Sequence, residues 1–329
     1  MTQNPDDIND ISRTKRGRVF KKTLGKYFVS VDGEGKVVCS ISSTLRKTLV
    51  YPLADPSSRR PTVDKVADIK VVDPVAIGDE VSFTDAGDGS GMITEVLPRK
   101  NKLSRLAAGS KPLEQVIVAN LDQVVPVLAA AKPKLKWTLL DRYLADSESA
   151  YLPALICISK IDLAKADIEE EVKIYEKIGY RVILTSAVTG TGLEELKEAL
   201  KDRVSVLVGK SGVGKTTLLN AIQPGLGLRV GEVSNSTGKG KHITSHLEMF
   251  QLDFGGGLID TPGMREFGLW DTSGTDIAYL FREMRPLLGK CRFGADCSHT
   301  HEPACAIKDA VDAGEIAERR YQSYIRMMR

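Results

Sequence analysis

The chain has 329 residues, which is enough for two or three domains that each bury a core. Its 42% hydrophobic and 27% charged residues are typical of a soluble globular protein. Because no apolar run approaches ~18 residues, we expect no membrane span, and because the N-terminus is polar, we expect no signal peptide. The net charge of +3 identifies no partner, and five cysteines, three of them between 291 and 305, argue against a disulfide framework and for a reducing compartment.

The N-terminal third is predicted to be a small β domain. Residues 1–16 form a tail, polar and acidic over its first positions, that we expect to be disordered. From 17 to 97, β-like runs such as Tyr27–Val31 and Met92–Val96 alternate with glycine and aspartate turns. This spacing predicts a small all-β barrel or sandwich, and a barrel of the OB type is one member of that class.

Two basic runs flank this domain. Residues 13–22 and residues 99–105 are rich in Lys and Arg, and the second run lies in a predicted linker, residues 98–112. Each run is typical either of a solvated surface or of a contact with a polyanion, and the sequence leaves both interpretations open.

From residue 113 the pattern changes to strands that alternate with helices. The β-like runs are 116–119, 123–129, 154–158 and 181–185, and the helical patterns are 137–151 and 167–179. Pro126 indicates an edge strand or a bulge in the second of these runs. The alternation predicts a mostly parallel sheet covered by helices.

A phosphate-binding pattern follows the next predicted strand, Val204–Val208. Residues 209–216 read Gly-x-x-x-x-Gly-Lys-Thr, whose glycines let backbone N–H groups point at phosphate oxygens. Lys215 supplies charge for the β and γ phosphates, the Thr216 hydroxyl is placed to ligate Mg²⁺, and the helix from Thr217 adds its positive end. The predicted nucleotide-binding residues here are Gly209, Lys210, Ser211, Gly212, Val213, Gly214, Lys215, Thr216 and Thr217.

The nucleotide base is predicted from two motifs upstream of this loop. Ser159-Lys160-Ile161-Asp162 resembles the [Asn/Thr]-Lys-x-Asp motif of GTPases, and Thr185-Ser186-Ala187 resembles the element that supports guanine O6. A carboxylate at Asp162 accepts from guanine N1–H and from the N2 amino group, and adenine has neither donor. Ser159 replaces the usual Asn, which predicts weaker guanine binding. An ATP-dependent enzyme such as a kinase is the alternative that these motifs disfavour.

The γ-phosphate sensors are predicted downstream of the loop. Asp260 ends a strand and begins Asp-x-x-Gly, where it would hold Mg²⁺ through a water while the Gly263 N–H senses the γ-phosphate. In the polar, glycine-rich segment 236–245, we assign Thr244 rather than Ser245 as the switch residue that closes over Mg²⁺. Met264 stands where many GTPases have a catalytic Gln, so we expect slow intrinsic turnover. His242 either positions the attacking water or is a surface histidine.

A cysteine cluster lies near the C-terminus, within a tail predicted to end in an amphipathic helix near 307–328. Cys291, Cys297 and Cys305 together with one histidine supply the number and softness of ligands for a closed tetrahedral zinc site. His299 and His301 compete for the fourth position, and three unrelated buried cysteines are the alternative to a metal site. A site with four protein ligands predicts a structural rather than catalytic zinc.

The order of these motifs is permuted. The base motifs precede the phosphate loop, which precedes the switches, whereas ordinary GTPases run from loop to switches to base motifs. A predicted β-barrel precedes the GTPase motifs and a cysteine cluster follows them. With this organisation, the chain resembles the circularly permuted, ribosome small-subunit-dependent GTPases of the RsgA family. The resemblance rests on Pro98–Arg105, Asn120–Gln123, Leu140–Tyr143, Gly209–Thr217, Gly238–Ser245, Asp260–Phe267 and Cys291–Cys305.

The resemblance implies an architecture and a partner. It implies an OB-type barrel over 17–97, a circularly permuted α/β P-loop GTPase domain over 113–270, and a helical zinc-binding domain over 271–329, in which His299 is the zinc ligand. It also implies a cytoplasmic, monomeric GTPase that binds the small (30S) ribosomal subunit and its 16S rRNA during late maturation. The alternative is a GTP-binding, RNA-interacting module with negligible hydrolysis.

Overall fold

The structure, a computed structural model, divides into two compact units, Met1–Leu121 with His246–Met249, and Asp122–Ser245 with Phe250–Arg329. The residues that it describes are 14–23, 25–45, 48–50, 65–67, 73–106, 114–164, 168–226, 248–260 and 277–328. Among these, every helix is too short or too polar to cross a lipid bilayer.

The first unit contains a closed five-stranded barrel. Its strands are β1 (Thr14–Thr23), β2 (Lys26–Val31), β3 (Gly35–Ile41), β6 (Glu80–Asp85) and β7 (Ser90–Val96). They pair in the order β1-β2-β3-β7-β6, β3 lies parallel to β7, and β1 closes the barrel by pairing with β6. The inward positions, including Val19, Val29, Val81, Phe83 and Ile93, are fully buried. The predicted barrel of the OB type is therefore confirmed.

Strand β1 changes the interpretation of the N-terminal basic run. The strand begins at Thr14, so the end of the predicted tail belongs to the barrel. Lys15 pairs with Glu34 and Asp85, and Arg18 pairs with Glu80. Ion pairs of Lys21 with Glu248 and of Lys22 with Asp73 complete the pattern. Most of this run's charge is thus neutralised inside the unit, which favours the solvated surface over a polyanion contact.

The second basic run does not form a simple linker. Strand β8 (Lys102–Leu106) pairs with β9 (Glu114–Ala119) in an antiparallel hairpin of the first unit. Before it, the Arg99 guanidinium donates to both carboxylate oxygens of the fully buried Asp79 at 2.7 Å. Two shorter strands, β4 (Thr48–Val50) and β5 (Lys65–Ala67), also pair here. The domain boundaries drawn from the sequence stay a prediction.

The second unit is built on a parallel sheet. Its strands β10 (Gln123–Ala129), β11 (Leu155–Ser159), β12 (Arg181–Leu184), β13 (Val204–Val208) and β15 (Gly257–Asp260) lie in the order β12-β11-β10-β13-β15. The short strand β14 spans Glu248–Gln251. The helices are α1 (Trp137–Ser149), α2 (Glu169–Lys177), α3 (Leu193–Leu200) and α4 (Lys215–Ile222). The predicted parallel α/β arrangement is confirmed, and α3 was missed although Leu193, Leu196 and Leu200 have helical spacing.

Pro126 does not mark a sheet edge. Strand β10 lies between β11 and β13, and Pro126 pairs in register with Val208. On the other side, β10 pairs with β11 at Val124 and then only from Val127 onward. Proline lacks an N–H donor, and it is tolerated at Pro126 because the pairing of β10 with β11 is interrupted between Val124 and Val127. Of the two alternatives that the sequence offered, an edge strand or a bulge, the edge strand is therefore wrong.

The C-terminal tail contains two helices instead of one. Helix α5 (Ala306–Asp312) and helix α6 (Glu318–Met327) are separated at Gly314, whose φ of 74° favours glycine. Ile316, between the helices, is buried. Short 3₁₀ turns at Ile277–Leu280, Arg285–Leu287 and Gly294–Asp296 precede them. The residues around the cysteines form a separate hydrophobic cluster that includes Phe281, Met284, Ile307 and Tyr324.

Candidate nucleotide site and metal cluster

The phosphate-binding loop lies between β13 and α4 and depends on its glycines. Gly212 and Gly214 have φ values of 81° and 97°, in the left-handed region that side chains rarely adopt. A Cβ on Gly209 would lie 2.3 Å from the Val127 carbonyl oxygen, so only glycine fits there. Val213 is buried in the core of the sheet and fixes the middle of the loop.

Three side chains hold the carbonyl groups of this loop. The Lys215 ammonium donates to Gly209 O at 2.7 Å, and the Lys160 ammonium donates to Gly212 O at 2.6 Å. The Ser159 hydroxyl donates to Val213 O at 2.5 Å. Because C=O and N–H of one trans peptide point in opposite directions, the N–H groups of Lys210 and Gly214 are turned away from these partners. The loop can therefore present N–H donors to an anion.

The first predicted base motif is tied directly to the phosphate loop. The hydroxyl of Ser159, which ends β11 and is 1% exposed, also lies 3.1 Å from Leu128 O, so its one proton is within reach of two carbonyl oxygens. Lys160 has a φ of 57° and bridges Gly212 O with Lys132 O, both at 2.6 Å from its ammonium. Partial burial lowers the pKa of Lys160. The serine that replaces the usual Asn thus still donates a hydrogen bond to a carbonyl group of the phosphate loop.

The second base motif meets the first through one hydrogen bond. The Ser186 hydroxyl, which is fully buried, donates to the Asp162 carboxylate at 2.5 Å. Ser186 Oγ in turn accepts from the N–H groups of Val188 and Thr189 at 3.2 Å, which orients the turn that contains Ala187. The Asp162 carboxylate is exposed and therefore accessible to a ligand. The structure brings both base motifs and the phosphate loop to the carboxyl ends of strands β12, β11 and β13 of one parallel sheet.

Several predicted residues lie outside the described part of the chain. Asp260 ends β15 in register with Leu207 of β13, as expected for a residue beside the phosphate loop, but its side chain is not described. His242, Thr244, Ser245 and Gly263 also fall on residues that the structure does not describe. Their roles stay predictions.

Four side chains in the C-terminal tail converge as metal ligands would. The ligand atoms of Cys291, Cys297, His299 and Cys305 all lie within 4.8 Å of one another, and all four residues are buried. Cys291 Sγ is 3.8 Å from Cys305 Sγ, and His299 Nδ1 is 3.4 Å and 3.5 Å from these sulfurs. A tetrahedral zinc ion needs edges of about 3.8 Å between sulfurs and about 3.5 Å between sulfur and nitrogen. The cluster can therefore hold one zinc ion.

The loop between the last ligands explains which histidine faces the cluster. His299 has a φ of 55° and is 3% exposed, whereas His301 is exposed and its Nδ1 lies 2.9 Å from the Thr300 hydroxyl. Glu302 accepts from the Ser298 hydroxyl and from the N–H groups of Ser298 and Thr300. The Ser298 hydroxyl, together with these N–H groups, lowers the pKa of Glu302 to about 2. The carboxylate thereby fixes the turn that directs His299 inward.

A buried charge network joins helix α1 to helix α6. Asp141, fully buried in α1, accepts from Arg320 at 2.7 Å and from the Tyr175 hydroxyl at 2.7 Å. Arg320 is 1% exposed and also donates to both carboxylate oxygens of Glu283 at 2.7 and 3.1 Å. Sequence reasoning missed these roles. The signal was available, because Asp141 interrupts the apolar face that Leu140 and Leu144 define.

Comparisons with known proteins agree with this geometry. The sequence model of the RsgA GTPase family matches residues 96–270. A relative from Gemmatimonas aurantiaca, described as a small ribosomal subunit biogenesis GTPase RsgA, is 44% identical over 77% of this chain and 83% of its own length. A relative of the same description from Caldanaerobacter subterraneus is 36% identical over 95% of each chain.

Solved structures give the same result. The crystal structure of YjeQ from Thermotoga maritima is similar with a TM-score of 0.69 and 33% identity, covering 95% of this chain and 97% of YjeQ. YloQ, described as a circularly permuted GTPase, gives a TM-score of 0.67 and 29% identity, covering 96% of this chain and 94% of YloQ. The permuted motif order, the barrel and the family match lead to one conclusion. The chain belongs to the RsgA GTPase family and is a GTP hydrolase.

Proposed function

We propose that this GTPase acts in late maturation of the small ribosomal subunit, where it binds 16S rRNA in the cytoplasm as a monomer. The observation that carries the guanine-nucleotide part is the hydrogen bond from Ser186 to Asp162, beside a phosphate loop whose carbonyls are held by Ser159 and Lys160. The ribosomal part is supported by the names of the relatives, which are small ribosomal subunit biogenesis GTPases.

Each residue of the nucleotide site has a distinct role in this proposal. Asp162 accepts from guanine N1–H and N2–H, and Ser186 and Ala187 border O6. The Lys215 ammonium, which lies 2.7 Å from Gly209 O, moves its charge to the β and γ phosphates when nucleotide binds. Thr216 and Asp260 would hold Mg²⁺, which would neutralise charge that develops on the phosphates, and Thr244, closing over Mg²⁺, and Gly263 would complete the sensor.

Hydrolysis is proposed to be slow in the free protein and faster on the ribosome. Met264 cannot orient a water, so His242 or a ribosomal group takes that role. The zinc ion is structural in this proposal, since Cys291, Cys297, His299 and Cys305 leave no open coordination position.

The decisive experiment compares GTP turnover alone, with purified small subunits and with purified large subunits at matched concentration. We expect stimulation by small subunits only. Turnover that stays equal in all three mixtures would refute the switch and leave the alternative, a GTP-binding RNA module with negligible hydrolysis. The base assignment is tested separately with Asp162→Asn, which exchanges an acceptor for a donor and should lower GTP affinity about 100-fold. A retained GTP preference over xanthosine triphosphate would contradict it.

A further inference from the structure

A second polar cavity lies at the opposite end of the parallel sheet from the nucleotide site. It has a volume of about 220 Å³. Its lining includes the first residues of three strands, Gln123 of β10, Leu155 of β11 and Arg181 of β12, together with Arg203, which immediately precedes β13. Arg282 from the C-terminal part of the unit adds a further wall. Ligand sites for whole drug-sized molecules are larger, with volumes of about 300–1,000 Å³. The cavity therefore suits one small group of a ligand.

The lining of this cavity is positively charged. Among the residues that the structure describes, those that line it include three arginines and no acidic residue, although Arg282 and Arg181 are paired with Glu148 and Glu195 next to the cavity. Arg203 donates to the neutral Gln123 side chain at 3.2 Å. Arg181 pairs at 3.1 Å with Glu195, but both side chains are more than half exposed, at 53% and 54%, so the pair contributes little and can exchange. Guanidinium groups present forked donors that match phosphate oxygens. A phosphate group is thus the chemistry that this cavity fits.

The third arginine is a fixed part of the wall. Arg282 donates to Glu148 at 2.6 Å and to Gly179 O at 2.8 Å, and its guanidinium lies 4.0 Å from the centre of the Tyr180 ring. These contacts hold Arg282 in place without a ligand. Arg181 and Arg203 are exposed and less constrained. The cavity therefore combines one preset guanidinium with two that can close on an anion.

An exposed aromatic residue follows helix α1 in the turn that borders this cavity. Tyr151 is 88% exposed and has a φ of 54°, and it lies two residues before Pro153, which lines the cavity. Tyr151 thus presents its ring to solvent from a left-handed backbone conformation, which is uncommon for tyrosine. Single-stranded RNA is recognised by this combination, in which arginines bind phosphate and an aromatic ring stacks on a base.

We propose that this cavity binds one phosphate group of a single-stranded RNA segment, with an adjacent base stacked on Tyr151. The site is distinct from the nucleotide site and adds an RNA contact outside the barrel. The first basic run is a separate surface, and its Lys and Arg side chains are largely paired with acidic residues within the other unit.

The test uses the full zinc-loaded chain with GDP and Mg²⁺ in the nucleotide site. Fluorescence anisotropy of a short labelled oligouridylate is measured at several salt concentrations for the double variant Arg181→Gln/Arg203→Gln and for Tyr151→Ala. We expect the double variant to bind about tenfold more weakly with a shallower salt dependence. Tyr151→Ala should bind about fivefold more weakly with its salt dependence unchanged. Arg326→Gln, an exposed arginine on α6, is the matched control and should bind like the wild type.

Two outcomes would overturn the proposal. An affinity loss in the double variant no larger than in Arg326→Gln would remove the cavity as the phosphate site. Displacement of the oligonucleotide by inorganic phosphate with no effect of Tyr151→Ala would assign the cavity to a small anion instead of RNA. Photocrosslinking with 4-thiouridine locates the contact independently of affinity. We expect the cross-link in the peptide that contains Tyr151, and cross-links confined to the barrel would also contradict the site.

Discussion

The phosphate loop and the cysteine cluster are both ligand sites, but they are organised in different ways. In the loop, the side chains of Ser159, Lys160 and Lys215 bind backbone carbonyls, and the glycine conformations set the direction of the N–H groups. In the cluster, four side chains from an irregular segment converge to within 4.8 Å, with apolar neighbours around them. The loop is therefore organised by groups of the protein itself, whereas the four ligands of the cluster suit an ion that would hold the thiolates together.

The largest effect should come from the cysteine cluster and the zinc ion proposed to bind there. His299→Ala removes one of four ligands, and structural zinc in small domains contributes on the order of 10 kcal/mol to folding. We expect loss of bound zinc by elemental analysis and faster amide hydrogen exchange across 291–328. His301→Ala is the matched control, because His301 is exposed, and it should keep its zinc. Equal zinc loss in both variants would contradict the ligand set.

The second effect concerns the buried charge network that joins helix α1 to helix α6, whose Tyr324 packs in the hydrophobic cluster around the cysteines. Asp141→Ala leaves Arg320 buried with Glu283 as its remaining acidic partner, and loss of one member of a buried pair costs about 3–5 kcal/mol. The urea midpoint of the full chain should fall accordingly. Glu171→Ala removes the more exposed partner of Arg319 and should cost less than about 1 kcal/mol. If the two variants were equally stable, the network would not couple α1 to α6.

The third effect concerns catalysis by the loop. Lys215→Ala removes the charge that faces the phosphates and should lower kcat/KM for GTP about 100-fold. Its backbone should remain folded, because Val213 and the glycines still fix the loop. Lys201→Ala, an exposed lysine outside the site, is the control for lost charge. Activity of Lys215→Ala within a few-fold of this control would show that the loop does not bind phosphate as inferred.

The difference between the phosphate loop and the cysteine cluster also explains which features could be predicted from the sequence. The loop is local: spacing and glycine conformations place Gly209–Thr217 without knowledge of distant residues, and its strand and helix were predicted correctly. The cluster was predicted from ligand chemistry, but the inward turn of His299 depends on Glu302 and on hydrogen bonds from Tyr321 and Tyr324. The contacts between α1 and α6 were not predicted. Asp141 and Arg320 are 179 positions apart, and no local pattern relates them.

The smallest effect tests how far the loop depends on its neighbours in the sheet. Ser159→Ala removes the one hydroxyl donor, which lies 2.5 Å from Val213 O and 3.1 Å from Leu128 O, and one neutral hydrogen bond contributes about 1 kcal/mol. We therefore expect GTP affinity to fall about fivefold, measured by titration of a fluorescent GTP analogue. Ser159→Asn restores a donor, and should recover or exceed wild-type affinity if the amide reaches the same carbonyls. If Ser159→Ala binds GTP as tightly as the wild type, the glycines and Val213 alone would be sufficient to organise the loop, and the contrast with the cysteine cluster would be sharper still.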